Sequence, residues 1–252
     1  MEKISIITPS LNQKEYIEKT ILSVREQNYQ NYEHIIIDGK STDGTLNILA
    51  KYKNEIIYIS EKDSGQANAI NKGLRMASGD ILAFINSDDY YLPNTFNSIV
   101  SAFHKNTAGW LIGDYKIIDS LGNEIHDFVI KYKKILRERA NKKLFYLANY
   151  IPQPSTFWKR DLFEASGFFN EAYTYAFDYE YWLRLYKIET PIIIRNKLSA
   201  FRIHQSSKGS QDYELQLDEE IRILKEHNVD IFFMALHTLN NGLIKLAYKF
   251  IK

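Results

Sequence analysis

The stretch DILAFINSDD, residues 80–89, joins an apolar run to a dense polar cluster. The run from Ile81 to Phe84 has no polar interruption, which predicts a strand buried on both faces, as in a parallel sheet. Four polar side chains follow almost directly: Asn86, Ser87, Asp88 and Asp89. Two adjacent carboxylates repel each other unless a positive charge lies nearby. The stretch therefore predicts a buried strand whose carboxyl end holds a cation.

Strands and helices alternate through the residues before this stretch. The strand-like segments are KISIITPS, YEHIIIDG and EIIYIS, and the helix-like segments between them are EYIEKTILSVREQ, GTLNILAKYK and QANAINKGLRMAS. Alternation of this length indicates right-handed βαβ units. We therefore predict an α/β fold with a Rossmann-like, mostly parallel central sheet and helices on both faces.

The pattern changes after about residue 110. WLIGDYKIIDSLGNEIHDF predicts two strands around a turn at Leu121 and Gly122, and KYKKILRERANKKLFYLANY predicts one basic amphipathic helix. The second part of the chain, to about residue 210, is therefore predicted to be mixed α+β. Residues 211–252 are predicted to form a C-terminal helical tail.

Composition excludes several classes of protein. The 252 residues carry 32 Lys plus Arg against 31 Asp plus Glu, a net charge of +1, so no global basic field favours nucleic acid. There are no cysteines, which excludes a disulfide framework and thiolate metal sites. The start, MEKISIITPS, lacks the features of a signal peptide, and we expect a cytoplasmic location.

The tail segment DIFFMALHTLNNGLIKLAYKFIK has apolar residues at helical intervals and lysines toward its end. Asn240, Asn241 and Gly242 interrupt the apolar span that a transmembrane helix requires. Two interpretations stay open. The tail either contacts a membrane surface peripherally, on the cytoplasmic face of the inner membrane and with or without a homodimer, or it packs as a helix on the rest of the chain.

Polar residues follow each of the four predicted strands. They are Thr8, Pro9, Ser10 and Asn12 after the first, Asp38, Gly39 and Ser41 after the second, Glu61, Asp63, Ser64 and Gly65 after the third, and the NSDD residues after the fourth. Each group alone is consistent with helix capping and turns. Because parallel sheets bind ligands at the carboxyl ends of their strands, the four groups together predict one binding crevice.

The absence of two sequence motifs narrows the possible classes of ligand. No G-x-G-x-x-G follows the first strand and no G-x-x-x-x-G-K-[ST] appears, which argues against an ordinary dinucleotide fold and a P-loop ATPase. Asp38 is suited to accept hydrogen bonds from a uracil imide or a ribose hydroxyl. The NSDD carboxylates bind phosphate only through a divalent cation that prefers oxygen ligands. The crevice therefore predicts a nucleotide diphosphate with Mg²⁺ or Mn²⁺.

Three stretches in order resemble the inverting GT-A glycosyltransferases of family 2, which build bacterial surface polysaccharides. They are ISIITPSLNQKEYIEKTILSVREQNYQNYEHIIIDGKSTDGT, DSGQANAINKGLRMASGDILAFINSDDYYLP and FDYEYWLRL, and the resemblance covers about residues 3–205. It implies a GT-A domain over 1–210, with a nucleotide-sugar half to about residue 110 and an acceptor half over about 111–210. It also implies a UDP-sugar donor and a glycan or lipid-linked oligosaccharide acceptor.

The resemblance also implies roles for individual residues. Asp38 would contact the base, Asn86 the ribose region, and Asp88 would be the metal-binding acid of the D-x-D element. The nucleotide-binding set is Thr8, Pro9, Ser10, Asn12, Asp38, Ser41, Asp63, Asn71, Asn86 and Ser87.

Three positions depart from the family pattern. DDGS reads DGKS at residues 38–41, the first acid of D-x-D is Asn86, and Ile70 stands where many members carry Arg before Asn71. Lys72 and Arg75 are the candidates to replace that cation.

A base is needed to remove the proton from the acceptor hydroxyl. Asp178 in FDYEYWLRL is the candidate, because its aromatic neighbours predict partial desolvation and a raised pKa. Glu180 is the second candidate for the base. Helix capping by Asp178 stays open as the alternative.

Later residues complete the predicted site. His204 is a candidate metal ligand, with a structural or exposed histidine as the alternative, and Arg202 and Lys208 are candidates for the diphosphate. QPSTFWKRDLFEASGFF, residues 153–169, resembles the acceptor-side segment of the family. Phe157 and Trp158 in it are either stacking surfaces for a sugar ring or ordinary core residues.

Two other functions stay open beside the transferase. A nucleotidyltransferase would need a cationic, glycine-rich loop after the first strand, where TPSLNQKEY offers only Lys14. A non-catalytic sugar-nucleotide binding subunit would not need to retain both Asp88 and Asp178.

Overall fold

The computed structural model describes residues 1–125, 128–204 and 213–251. The first part alternates strands and helices: β1 (Ile4–Ser10), α1 (Ile17–Arg25), β2 (Tyr32–Asp38), α2 (Thr45–Lys51), β3 (Ile57–Ser60), α3 (Gln66–Met76), β4 (Ile81–Phe84), β5 (Tyr90–Tyr91) and α4 (Thr95–His104). The second part contains β6 (Trp110–Ile118), β7 (Glu124–Ile125), α5 (Phe128–Glu138), α6 (Lys142–Leu147), a 3₁₀ turn (Gln153–Ser155), β8 (Thr156–Lys159), α7 (Arg160–Ser166), α8 (Phe177–Ile188) and β9 (Ile192–Arg202). Two helices follow, α9 (Tyr213–Glu226) and α10 (Ile231–Ile251).

One mixed sheet runs through both parts of the chain. Its strand order is β3-β2-β1-β4-β8-β6-β9-β5, and β7 pairs with β6. Strands β1 to β4 are mutually parallel, whereas β8 runs antiparallel to both β4 and β6. The predicted α/β fold with a mostly parallel sheet is confirmed in this first part, and the βαβ connections place the carboxyl ends of β1, β2, β3 and β4 at one edge.

Helices cover both faces of the sheet because alternate strand residues point to opposite sides. On β1, Ile4 and Ile6 pack into a cluster with α4, while Ile7 packs into a larger cluster that includes residues of α3 and α8. All three isoleucines are fully buried. The apolar runs of the sequence are therefore explained by burial on both faces.

The region after residue 110 is partly as predicted. Strands β6 and β7 form around the expected turn, where the Asp119 carboxylate accepts hydrogen bonds from the N–H groups of Leu121 and Asn123. The prediction of a single basic helix is wrong, because the segment forms two helices, α5 and α6. Asn141 stops the first continuing into the second, and its side chain caps α6 by accepting from the Leu144 N–H at 3.0 Å.

The C-terminal helices pack on the rest of the protein along one face only. On α10, His237, Asn241 and Ile244 are buried. The opposite face carries an apolar stripe, exposed by half or more at Phe232, Leu239, Leu243 and Leu246. Among the described residues, no helix combines the length and apolar character needed to cross a membrane. The predicted boundary between residues 210 and 211 lies outside the described residues.

Candidate active site

A cavity of about 470 Å³ opens at the carboxyl ends of β1 and β4. Nine of the predicted site residues line it: Pro9, Ser10, Asp63, Asn86, Ser87, Asp88, Asp178, Arg202 and His204. These residues come from five separate parts of the chain. The predicted convergence of strand ends therefore produces a real cavity, and α8 and β9 supply its far wall.

Five residues of the predicted nucleotide-binding set do not line the cavity: Thr8, Asn12, Asp38, Ser41 and Asn71. Thr8 lies beneath it, 2.9 Å from the ring of His34, and burial lowers the pKa of that histidine to about 3. Asn12 adopts a left-handed backbone with φ of 53° and accepts from the Thr42 N–H. Asn71 is buried and bonds the backbone of Phe169 in both directions. These side chains support the loops around the cavity.

The proposed cationic replacements have other partners. Lys72 lies 2.7 Å from Glu61, and the Arg75 guanidinium lies over the Phe168 ring at 4.6 Å. Neither side chain lines the cavity. Lys208 lies outside the described residues.

The DGKS segment shows why its order departs from DDGS. Asp38 is fully buried, and its carboxylate accepts hydrogen bonds from Ser60 Oγ at 2.7 Å and from the Ser41 N–H at 2.9 Å. Lys40 has φ of 66°, a left-handed conformation that favours glycine. The glycine instead stands at residue 39, where a Cβ atom would lie 2.7 Å from Oδ2 of Asp63. Gly39 thus makes room for the Asp63 carboxylate at the cavity wall.

The two adjacent carboxylates of NSDD have different environments. Asp89 is buried, and its Oδ1 accepts the Arg202 backbone N–H at 2.8 Å. Burial, followed by the charge of Asp88, raises the pKa of Asp89 well above its ordinary value. Asp88 faces the cavity with its side chain 18% exposed. Repulsion is therefore reduced because buried Asp89 is held toward its neutral form, while Asp88 faces the cavity.

Arg202 stabilises the loop that carries Asp88. Its guanidinium donates to the backbone oxygen of Asp88 at 3.0 Å and to those of Asp119 and Ser120 at 3.0 and 3.1 Å. The same guanidinium lies 4.8 Å from the centre of the Tyr16 ring. These contacts hold the arginine at the edge of the cavity, and its role at a diphosphate stays a prediction.

Asp88 and His204 form the candidate metal position. Nε2 of His204 lies 3.0 Å from Oδ2 of Asp88, and the histidine ring packs 4.9 Å from the Tyr16 ring. A carboxylate oxygen with an imidazole nitrogen suits Mn²⁺. Across the described residues, no group of three or more His, Cys, Asp or Glu side chains is arranged to hold a metal ion. The pair would supply two ligands to a divalent ion.

Asp178 lies in the first turn of α8 and faces the same cavity. Burial raises its pKa to about 6, with the Tyr179 N–H, which donates to Oδ1 at 2.7 Å, acting against the shift and the charge of Glu220 adding to it. Asp178 is not the N-cap residue of α8, because Ala176 holds that position, although its carboxylate accepts the Tyr179 N–H within the first turn. The N–H groups that precede α8 are bound by Glu219 of α9 instead.

Two predicted contacts are corrected by burial. Trp158 is fully buried, with its ring 5.4 Å from Trp182 and 5.6 Å from Tyr181, and Phe157 is equally buried, so both are core residues and neither offers a surface to a sugar. Glu180 is also buried and points away from the cavity, toward Arg184 at 2.8 Å and His227 at 3.3 Å. Burial acts to raise its pKa, but these two partners lower it below the ordinary value. Glu180 is therefore a structural ion-pair partner.

Sequence reasoning missed four glutamines that line the cavity: Gln13, Gln66, Gln153 and Gln216. Gln66 donates to Oδ1 of Asn86 at 2.7 Å, and Gln153 donates to the Phe84 carbonyl at 2.6 Å. The position of Gln66 directly after Gly65, at the start of α3, was a signal for its role. Gln216 gave none, because it belongs to the tail helix α9.

The sequence matches a known protein family. The model of the family described as Glycosyl transferase family 2 matches residues 5–167. A glycosyltransferase of Rickettsia typhi is 26% identical over 206 residues, which cover 81% of this chain and 64% of the relative. The Escherichia coli protein WfgD, a UDP-Glc:alpha-D-GlcNAc-diphosphoundecaprenol beta-1,3-glucosyltransferase, is 33% identical over 139 residues, covering 53% of this chain and 55% of the relative. The chain thus matches between about half and two thirds of these relatives.

Solved structures share the fold. Staphylococcus aureus TarS 1–349 in complex with UDP-GlcNAc superposes with a TM-score of 0.69 at 19% identity, over 88% of this chain and 66% of TarS. The mannosyltransferase PcManGT of Pyrobaculum calidifontis, in complex with GDP-Man and Mn²⁺, gives 0.69 at 17% identity over 98% of this chain and 76% of PcManGT. The expected GT-A fold is therefore confirmed.

Proposed function

The chain belongs to glycosyl transferase family 2, and from this premise we propose that it is an inverting, metal-dependent transferase. It moves a sugar from a UDP-sugar to a hydroxyl group of a glycan or a lipid-linked oligosaccharide. The observation that carries the proposal is that Asp88, His204 and Asp178 line one cavity. A position for a nucleotide diphosphate and a candidate base thereby face the same space.

Asp178 acts as the general base. The acceptor oxygen forms a bond to the anomeric carbon while the bond from that carbon to the diphosphate oxygen breaks, and the hydroxyl proton passes to the Asp178 carboxylate. A pKa of about 6 suits this role, since the group is mostly ionised at neutral pH and still basic enough to take a proton. One displacement with one base inverts the anomeric centre, because no second carboxylate serves as nucleophile.

Asp88 and His204 would hold the divalent ion, with Mn²⁺ favoured by the imidazole nitrogen. The ion, when bound, neutralises the charge of the departing diphosphate. Asp38 directly precedes Gly39, and the Asp63 carboxylate lies against Gly39. Both aspartates are on the side of the cavity proposed for the nucleobase and ribose. UDP is proposed because WfgD uses UDP-Glc and TarS binds UDP-GlcNAc.

The acceptor is proposed from the same relative. WfgD acts on a GlcNAc-diphosphoundecaprenol, a lipid-linked sugar. An enzyme with such an acceptor works at a membrane surface, and the exposed apolar stripe of α10 suits peripheral contact with the cytoplasmic face. We therefore propose a role in cell-surface polysaccharide synthesis.

Thermal unfolding with UDP tests the donor site. At a hundredfold excess over Kd, UDP with Mn²⁺ is expected to stabilise the protein by about 2.7 kcal/mol, or a rise in Tm of roughly 5 to 10 °C. EDTA should remove most of this rise, and Asp88→Asn should remove its dependence on metal. Asp218→Asn, which changes an exposed carboxylate on α9, is the matched control. An unchanged metal-dependent rise in the Asp88 variant would exclude Asp88 from the site.

A substitution of the proposed general base, Asp178, distinguishes a transferase from a non-catalytic binding subunit. Asp178→Asn should keep its affinity for UDP with Mn²⁺ and lose transfer by at least about a hundredfold. A product with retained anomeric configuration, or transfer at the original rate, contradicts the assignment. A nucleotidyltransferase would instead release pyrophosphate from a nucleoside triphosphate, and its loop after β1 would need more positive charge than Lys14 supplies.

A further inference from the structure

Helix α9 of the tail holds the segment that leads into α8. The Glu219 carboxylate accepts hydrogen bonds from three consecutive backbone N–H groups, of Thr174 at 2.8 Å, Tyr175 at 2.7 Å and Ala176 at 2.9 Å. These N–H groups lie directly before Phe177, the first residue of α8, so the carboxylate both satisfies them and lies at the positive end of the helix dipole. Glu219 thus fixes the turn from which Asp178 projects.

Further contacts join α9 to the same segment. Arg222 donates to the Ala172 carbonyl at 2.9 Å, and the Tyr173 hydroxyl donates to Glu226. Three side chains on successive turns of α9 therefore hold residues 172–176. The cavity also receives Gln216 from α9.

The next residue of α9, Glu220, is buried in a polar cluster with α10. Its carboxylate lies 2.8 Å from Nε2 of His237 and accepts from Asn241 and Gln216, both at 3.2 Å. Nδ1 of His237 lies 3.0 Å from the Tyr146 carbonyl oxygen. Both ring nitrogens face oxygen acceptors, so a ring that bonds to both carries two N–H groups and a positive charge. The pair is a buried ion pair.

We propose that α9 and α10 are part of the catalytic apparatus. Glu219 positions Asp178, and the Glu220–His237 pair sets the electrostatic potential at the Asp178 carboxylate. This inference rests on the proposed function for the role of Asp178 as base. Glu219, Glu220 and His237 are positioning residues, because they act through Asp178 and not on the substrate.

The charged groups around Asp178 determine whether each substitution favours or disfavours its ionised form. Glu220 on α9 disfavours its ionised form, and Lys133 on α5 favours it. The other charged or titratable groups that line the cavity are Asp63, Asp88, Tyr175, Arg202 and His204. Burial acts to raise the pKa of Glu220 itself, but His237 and Lys133 hold it below the ordinary value, so Glu220 stays ionised. Removing Glu220 should ease ionisation of Asp178, and removing His237 should hinder it.

Carbon-13 NMR titration of the aspartate carboxyl groups tests this without a substrate, with Asp178→Asn identifying the signal. In Glu220→Gln the titration midpoint of Asp178 should fall by about 0.5 to 1 pH unit, and in His237→Gln it should rise. Damage to packing alone would not shift the midpoint in opposite directions for two residues in contact. Asp218→Asn removes the same charge from an exposed position of α9 and should leave the midpoint unchanged.

The acid limb of the transfer rate should move with the midpoint, and Glu219→Gln should lower kcat with little change in donor KM. If Glu220→Gln does not fold, the upward shift expected in His237→Gln takes its place as the test. Unchanged midpoints in these variants would overturn the inference even where transfer depends on Asp178. Shifted midpoints without transfer from any sugar nucleotide would overturn the proposed function and leave the coupling intact.

Discussion

Asp178→Asn is expected to stabilise the protein, by an amount that grows between about pH 4 and pH 6 and is fully developed above that range. The pKa of Asp178 is about 6 in the fold against an ordinary value of 3.8. The folded state therefore binds the proton more tightly than the unfolded state, and stability falls as pH rises between these two values. Asparagine is neutral throughout and does not lose stability in that window.

The size of the effect follows from the difference in pKa. About two pH units correspond to roughly 3 kcal/mol, which is the cost of ionising this carboxyl in its enclosed site. The amide oxygen of asparagine can still accept the Tyr179 N–H, which Asp178 binds at 2.7 Å, so no backbone group is left without a partner. For a chain of 252 residues, 3 kcal/mol is a rise in Tm of about 6 °C or somewhat more.

Differential scanning calorimetry at pH 7.5 and at the lowest pH where the protein unfolds reversibly, near 4, measures the effect. The variant should exceed the wild type by about 6 °C at pH 7.5 and by little at pH 4. Asp218→Asn, at an exposed site, should differ from the wild type by less than about 2 °C at either pH. Equal stabilisation at both pH values, or none at pH 7.5, would refute the reasoning that enclosure holds this carboxyl toward its neutral form.

Two further predictions concern the nucleotide side and the tail. Gly39→Ala should weaken UDP binding by about tenfold, measured by titration calorimetry, because its Cβ would lie 2.7 Å from the Asp63 carboxylate oxygen. The control is Gly242→Ala, where nothing lies within 4 Å of the added Cβ, and it should bind UDP as the wild type does. Leu239→Glu combined with Leu243→Glu should release the protein from anionic vesicles in a flotation assay without unfolding it, since these side chains are 60% and 59% exposed. The control, Leu121→Glu at an 85% exposed site in the β6–β7 turn, should not release the protein. Loss of the fold in the double variant would indicate that the apolar stripe is covered by protein.

The sheet was predictable because its signals are local. Continuous apolar runs such as Ile35 to Ile37 are required wherever a strand is covered on both faces, and these residues are fully buried. The meeting of polar strand ends followed from parallel topology alone. The sequence therefore carried enough information to predict the cavity and most of its near wall.

The far wall depended on facts that no short stretch contains. Asp178 and Glu180 are two residues apart on α8 and point to different sides. Only the packing of α9, and of His227 directly after it, shows which one faces the cavity. Trp158 lies in a motif-like segment, yet an aromatic residue in a core and one at a sugar site have the same local pattern. Asp88 and Asp89 differ for a similar reason, since the burial of Asp89 depends on the distant Arg202 backbone.

The link between Asp88 and β9 has a consequence for how the protein folds. Arg202 bonds the Asp88 carbonyl across 114 residues, and His204 meets the Asp88 carboxylate across 116. Strand β5 of the first part likewise finds its partner in β9. Contacts so distant in sequence close late and slowly, because the intervening chain must first be ordered. A nascent chain that has emerged only as far as α4 would have its parallel strands but would lack β9 and His204, so the candidate metal position is complete only after residue 204 has been synthesised.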